Sequence, residues 1–529
     1  MARLFLGLDS STQSLSAIVI DYDARRIVYE NSLSFDKMLP HYGTRNGALR
    51  SRDPLVVHSP PLMWVEALDV LFGQMKNDGV ALREIIAVSG SGQQHGSVYL
   101  NDRAAGALGR LNPANGLAEN LSGIFSRSTS PIWMDSSTSA ECAEIRDALG
   151  GIKPTAQQTG SDTFERFTGP QIRKFYRTEP ANYDATQSIA LVSSFMASIL
   201  AGTIAPIDHG DGAGMNLMDI QTKTWHPNAL KATALGLNAK LPPLAEPWKV
   251  VGGVSPYFAK KYGLNPDAQA LVWSGDNPCS IIGLGLIEEG NVAISLGTSY
   301  TYFGCMKHCR VDTRGEGSVF GAPTGDYMTL ICYKNGSLAC ERIRDQYGLD
   351  WKGFNRMVLA SPPGNNSGIM LPWFEAEIVP RVNKPGIHRF DLDPKDAGAN
   401  CRAIVEAQMM SMRIHSAWMK VLPKRIYATG GASANTAILQ VMADVMNCPV
   451  SRIEVSKSAA LGAALRAAHG WLVQNGDRRA WSEVVAGFTD SIPNSEIKPI
   501  ANAVRVYDKL VEQYARCEQE TLRSSLPQL

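Results

Sequence analysis

Short apolar runs separated by polar turns open the chain. Leu4 to Asp9 reads as a strand, Ser10 to Ser14 as a polar turn, and Leu15 to Asp21 as a second strand in partial alternation; after a charged turn through Asp23 and Arg25, Ile27 to Ser32 gives a third. This pattern predicts an antiparallel meander. Apolar residues then switch to helical spacing at Met63, Trp64, Ala67, Leu68 and Leu71, and Ile85 to Ser89 reads as a buried strand entering the turn Gly90 to Gly96. Helix followed by strand and glycine-rich loop is an α/β rhythm.

The opening device returns far downstream. Asn291 to Leu296 predicts a strand, Gly297-Thr298-Ser299 a polar turn, and Tyr300 to Gly304 a returning strand, with Thr298 aligned on Thr12 and Ser295 on Asp9. The two copies lie about 290 residues apart, too far for a solenoid, whose period is about 20 to 50 residues. Two related domains facing each other account for the spacing, and a ligand would lie between them. The polar turn at Glu288, Glu289 and Gly290 puts the division near Leu284 to Gly290, giving domains 1–284 and 285–529.

Composition narrows the class. The 529 residues carry 51 Lys plus Arg against 50 Asp plus Glu, so no basic excess exists to neutralise a nucleic-acid backbone. Hydrophobic residues at 44% and charged residues at 19% describe a globular protein with real cores. The uncharged stretch Ala185 to Ile207 is broken by serines, Gly202 and Pro206, and Leu191, Phe195 and Ile199 recur at helical spacing, so a buried amphipathic helix is expected and no membrane span. The apolar run in Met1 to Leu8 is too short for a signal peptide. Nine cysteines without an even framework point to thiols in a reducing cytoplasm; Cys305, His308 and Cys309 could form half of a zinc site, but no second ligand pair follows. Oligomeric state is left open, a homodimer among the options.

Several short motifs carry candidate chemistry. The turn Asp9-Ser10-Ser11-Thr12-Gln13-Ser14 offers backbone N–H groups and hydroxyls in a tight reversal, a shape that cradles phosphate, and Asp9 could hold Mg²⁺ through water; a plain hairpin is the alternative. Gly297-Thr298-Ser299 has the same character. Ile426 to Thr429 reads as a strand ending in Gly430-Gly431-Ala432-Ser433, with Asn435 opening a helix, an arrangement that lets backbone approach a nucleotide or simply caps a helix. The stretch Ala459 to Ala468 is dense in small residues, suited to close helix packing or to leaving room for an adenine. Asp276, after the apolar segment Ala270 to Trp273, should sit at a strand end as a general base, or cap the segment starting at Pro278. Gln93, Gln94 and His95 lie in a glycine-rich loop apt for a polyol. Asp208, Asp211 and Asp219 invite a calcium reading, but the required Glu is absent, and turn chemistry is simpler.

In this order the pieces resemble the FGGY carbohydrate kinases, and most the longer xylulokinase branch found in animals and some bacteria. The residues that carry the resemblance are Gly7 to Ser14, Ser91 to Gly96, Trp133 to Thr138, Glu165 to Gly169, Pro206 to Leu217, Gly275 to Pro278, Ser295 to Ser299, Lys334 to Leu338 and Thr429 to Asn435. The wider family often has Gly where Ser11 stands and Arg where Ser136 or Ser137 stands, marks taken here as those of a subgroup. The resemblance implies an α/β protein of two actin-like, hexokinase-like (ribonuclease H-like) domains with an ATP and sugar cleft between them. It implies transfer of the γ-phosphoryl group of ATP to the C5 hydroxyl of D-xylulose. It makes Asp276 the base, sets Asp9 by Mg²⁺, and gives Gln94, His95, Arg166, Asp276 and Asn277 to the sugar, with His95, Arg166 and Asn277 as hydrogen-bond donors. Ser11, Thr12, Gln13, Gly297, Thr298, Gly430, Gly431 and Asn435 would hold ATP. The rival readings are a family member acting on ribulose, fuculose, gluconate or glycerol, and a non-catalytic actin-like nucleotide-binding protein.

Overall fold

The computed structural model describes residues 3–453 and 457–524. The chain divides into two compact units. The first comprises Met1–Ile287, Val319–Tyr327 and Val455–Thr489, and the second Glu288–Ser318, Met328–Glu454 and Asp490–Leu529. The first crossing therefore falls just past Leu284, and the chain afterwards returns twice to the first unit.

The first unit is built on a mixed sheet. Strands β1 (Leu4–Ser10), β2 (Ser14–Asp21) and β3 (Arg26–Ser34) form the expected meander, followed by helix α1 (Pro61–Asn77) and strand β4 (Ile85–Gly92). With β5 (Val250–Gly253) and β6 (Gln269–Leu271) the order is β5-β6-β4-β1-β2-β3, and the short β7 (Ser274–Gly275) also pairs with β4. The β1–β4 pairing is parallel and sets Asp9 opposite Ser91, while β7 sets Ser274 opposite Ser91 and Gly275 opposite Gly92. Three strand ends thus stop side by side. β1 is buried on both faces: Leu4, Leu6 and Leu8 pack into a core with Trp64 and Leu68 of α1 and Phe195 of α2 (Val192–Ala201). On the other face Phe5 lies edge-on to Trp471, with ring centroids 6.0 Å apart.

The stretch Ala185 to Ile207 is not one amphipathic helix. Ser188–Leu191 is a strand, α2 follows, and all of Val192 to Leu200 is buried. The helical spacing that began at Leu191 started inside the strand, and period alone does not separate a wholly buried helix from the strand that feeds it.

A short helix α3 (His209–Ala213) and the helix α4 (Asp276–Gly283) complete the surroundings of the strand ends. In the second unit β8 (Asn291–Leu296) pairs antiparallel with β9 (Tyr300–Met306) and parallel with β10 (Arg425–Thr429). It occupies the place that β1 has between β2 and β4. β10 leads to α5 (Thr436–Met446) and β11 (Val450–Arg452).

The small-residue segment lies in α6 (Ser458–Gln474), which belongs to the first unit and packs on β1, β4 and α4. Of its two readings, close packing is the one realised. A Cβ on Gly7 would fall 2.1 Å from the Ala460 carbonyl oxygen, one on Gly462 1.9 Å from that of Cys279, and one on Gly283 2.0 Å from that of Ser458. Each glycine is met by backbone of a neighbouring element, which cannot swing aside. Gly7→Ala is therefore expected to push α6 off the sheet and to destabilise the protein by about 3 kcal/mol or more, at the upper end of what overpacking costs. Thermal or denaturant unfolding checks this, and a change below about 1 kcal/mol would contradict the packing argument.

Candidate active site

The turn from Asp9 to Ser14 sits at the tip of the β1–β2 hairpin. The Ser11 amide donates to the Ser14 carbonyl at 3.0 Å and its hydroxyl to the same oxygen at 2.9 Å, so Ser11 closes the turn. Thr12 Oγ1 accepts from the Trp133 indole N–H at 2.8 Å, although Trp133 is 45% exposed. The Gln13 side chain is exposed, while its carbonyl accepts from the Phe35 amide at 2.9 Å. Asp9, one turn of chain earlier, is buried and accepts from Ser91 Oγ through Oδ1. Burial, helped by repulsion from Asp276 and opposed by the Ser91 bond, raises its carboxyl to about 7.

Asp276 follows directly on Gly275 at the end of β7 and opens α4. It is thus at a strand end and in the first turn of a helix, but Gly275 holds the N-cap position and no side chain caps the helix, so the capping reading of Asp276 is not realised. Oδ1 accepts from the Asn277 amide at 2.8 Å and from Asn277 Nδ2 at 3.1 Å; Nδ2 also donates to Gln94 Oε1 at 2.8 Å. Burial raises the carboxyl to about 6, against the backbone hydrogen bonds of Asn277 and Gln94 that favour the ionised form. A base that changes charge near neutrality is suited to taking a proton from an alcohol as it reacts.

The structure brings Gln94, Asn277 and Asp276 together through these bonds. His95 stands on a positive φ of 72° and stacks on Phe167 with centroids 4.3 Å apart. Its Nδ1 is 2.8 Å from the Gly214 carbonyl oxygen, which can only accept, so Nδ1 carries the proton. Burial first, and then repulsion from Arg166, hold the imidazole down to about 3. His95 is consequently neutral with Nε2 as an acceptor, a correction to its expected part as a donor. The Arg166 guanidinium lies 5.1 Å and 5.7 Å from the ring centroids of Phe164 and Phe167 and has no carboxylate partner among the described residues, so its donors remain available.

Gly297, Thr298, Gly431 and Asn435 line one cavity of about 610 Å³ in the second unit. Gly430 stands beside it at a φ of 85°, where a Cβ would strike the Leu296 backbone at 2.9 Å, whereas a Cβ on Gly431 would meet nothing within 4 Å. Asn435 caps α5, accepting from the Ala437 and Ile438 amides, and its Nδ2 donates to Asn355 Oδ1 at 2.6 Å. The helix-cap reading of this motif is therefore realised, and the glycine turn opens beside the cavity. Leu338, the end of the Lys334 to Leu338 motif, lies on the wall of the cavity, and sequence reasoning missed Trp351 and Asn355 beside it; a half-exposed Trp351 after Asp350 carries no signal of its own.

The aspartates 208, 211 and 219 have three separate fates. Asp219 accepts the Gln221 and Thr222 amides and is turn chemistry. Asp208 caps α3, accepts from Ser274 Oγ at 2.5 Å, and meets the fully buried Arg466 of α6 at 3.3 Å. Asp211 accepts from Ser193 Oγ through Oδ2, and burial raises its carboxyl well above the ordinary range.

Residues 129–283 match the N-terminal domain of the FGGY family of carbohydrate kinases and residues 292–471 its C-terminal domain. Rat (Rattus norvegicus) xylulose kinase is 42% identical over 531 residues, covering 98% of this chain and 97% of its own, and xylulose kinase 2 of Arabidopsis thaliana is 44% identical over 493 residues, covering 89% and 87%. The crystal structure of xylulose kinase from Rhodospirillum rubrum shares the fold, with a TM-score of 0.81 at 19% identity over 98% of this chain and 99% of that one. The fold class is α/β with two actin-like, ribonuclease H-like domains.

Arg466→Met is expected to cost about 3 to 5 kcal/mol, the scale of leaving one partner of a buried ion pair alone. Unfolding measurements test this; a loss below about 1 kcal/mol would mean that Asp208 is not held by the pair.

Proposed function

The chain belongs to the FGGY family of carbohydrate kinases, and on that premise we propose that it phosphorylates D-xylulose at the C5 hydroxyl with ATP. What carries the reading is the Asp276 carboxylate at its strand end, raised to about 6 and held by Asn277 beside Gln94. The choice of sugar is supported by the full-length similarity to proteins named xylulose kinase.

Asp276 accepts the proton of the sugar hydroxyl as its oxygen bonds to the γ-phosphorus, and the bond to the β–γ bridging oxygen breaks to leave ADP. Phosphoryl transfer of this kind needs mainly positioning and neutralisation of charge. Arg166 donates hydrogen bonds to the sugar, and His95 Nε2 and Asn277 Oδ1 accept them; both Asn277 Nδ2 protons go to Asp276 and Gln94, which corrects its expected part as a donor. The residues present fit a nucleotide: the cavity beside Gly297 and Thr298 is large enough for an adenosine, and Gly431 leaves its mouth free of side chain. They also fit Mg²⁺, since Asp9 spends Oδ1 on Ser91 and keeps Oδ2, and a hydrated magnesium ion needs one or two carboxylates. When bound, Mg²⁺ would neutralise charge on the phosphate oxygens. Among the described residues no helix is long and apolar enough to cross a membrane, and a cytoplasmic enzyme is the setting we propose.

A screen of ketoses and polyols for ADP release tests the substrate. D-xylulose should turn over far faster than glycerol, because an analogue that leaves buried polar groups unpaired is rejected by up to about 10⁴-fold. Equal turnover would defeat the xylulose assignment and leave a broader sugar kinase. Asp276→Asn should cut turnover by about 10²-fold or more with the fold intact by circular dichroism; retention of a tenth of the activity would place the base elsewhere. The pH profile follows from the sign of the shift. The base works ionised, so with saturating Mg-ATP kcat/KM for the sugar should fall as pH drops through about 6, the value for the Asp276 carboxyl. A profile flat down to pH ~4.5 would show that no group of raised pKa limits the reaction.

A further inference from the structure

The two carboxamides next to Asp276 are oriented by chemistry alone. One side-chain atom of Asn277 lies 3.1 Å from Asp276 Oδ1 and 2.8 Å from the amide of Gln94. An ionised carboxylate only accepts, so this atom is the Asn277 NH₂ group, and the Gln94 atom that faces it is the carbonyl Oε1. The Gln94 NH₂ group therefore points away from Asn277. Gln94 is 2% exposed, and its Nε2 has no partner among the described residues. Such a buried donor calls for an acceptor.

One lies on the same side of Gly275. A Cβ built there would fall 2.9 Å from Gln94 Cγ, 3.2 Å from Gln94 Cδ and 2.9 Å from Asp211 Oδ1. Asp211 is 1% exposed; Ser193 satisfies Oδ2, and Oδ1 has no partner among the described residues. An unmatched donor and an unmatched acceptor thus flank one glycine, close enough to join through a side-chain rotation or a single buried water.

We propose that Asp211 is a positioning residue for the general base: its Oδ1 accepts from Gln94 Nε2, directly or through one water, and closes the chain Ser193–Asp211–Gln94–Asn277–Asp276. The far end is anchored on α2, a helix buried on all sides, so the carboxylate of Asp276 is held by the rigid core behind it and not only by its own neighbour. The chain needs Gly275, because any side chain there would fill the space between Gln94 and Asp211. Oδ1 accepts when Asp211 is ionised, and also as a neutral acid whose proton sits on Oδ2 toward Ser193.

This inference rests on the reading of Asp276 as the base, and the test separates the two. Asp211→Ala, Gln94→Met, the double variant and Asp211→Asn would be assayed with D-xylulose and Mg-ATP. Each of the first two should lower kcat by about tenfold while KM for ATP stays within about twofold, and the double variant should be no slower than the slower single one. Asp211→Asn should recover kcat to within about threefold, since its carboxamide keeps Oδ1 toward Gln94 and turns its NH₂ to Ser193. Asp211→Ala within about twofold of the parent kcat, or losses that multiply in the double variant, would overturn the proposal. If Asp211→Ala does not fold, Gln94→Glu serves: it keeps an acceptor for Asn277 but has no donor for Asp211, and an unimpaired kcat would overturn the chain. A high-resolution crystal structure gives a readout independent of the sugar, in which Gln94 Nε2 stands within about 3.2 Å of Asp211 Oδ1 or of a water shared by both; separated groups with neither would also overturn it. The base reading fails on its own evidence, through an active Asp276→Asn enzyme.

Discussion

The absence of a side chain at Gly7, Gly283 and Gly462 is the constraint on which the first unit rests. With a Cβ at any of the three, the backbone of β1, α4 and α6 could not meet at the separations seen. That close approach brings Arg466 of α6 to Asp208, and Asp208 in turn caps the short helix that carries Asp211. A five-residue helix has too few internal hydrogen bonds to persist by itself. Its place is fixed from outside, by a buried ion pair and by Ser274.

Burial then does two kinds of work on the carboxyls gathered at the strand ends. Asp9 and Asp276 are raised to about 7 and about 6, near enough to neutrality to change charge in use. Asp211, deeper and with a single serine donor, is pushed further. At Asp276 the Asn277 and Gln94 backbone donors offset part of that burial, which suits it to act as a base.

Short apolar runs bounded by polar or glycine turns were legible in the sequence. The meander, the repeat of its first hairpin at Asn291 and the glycine turn before Asn435 all follow from such runs and their turn residues. The strand-end position of Asp276 was legible because the apolar run Ala270 to Trp273 stops two residues short of it. Asp211 was not: between glycines and other aspartates its surroundings have no period, and only the fold shows that one aspartate is a turn, one a cap and one an acceptor facing Gln94. The proton position on His95 was equally hidden, since it depends on the Gly214 carbonyl more than a hundred residues away. For α6 the density of small residues announced close packing but could not name the surface it packs on.

The place of α6 bears on how the protein is made. A ribosome delivers the meander first and α6 only after most of the second unit has left the tunnel, so the face of β1 that carries Phe5 and Gly7 waits uncovered through much of synthesis. In a usual two-domain chain the leading domain completes first and the trailing one folds against a finished neighbour. Here the leading unit closes late. Its newborn form leaves apolar strand surface uncovered for the time needed to add nearly two hundred residues beyond Ile287, which exposes this stage to aggregation.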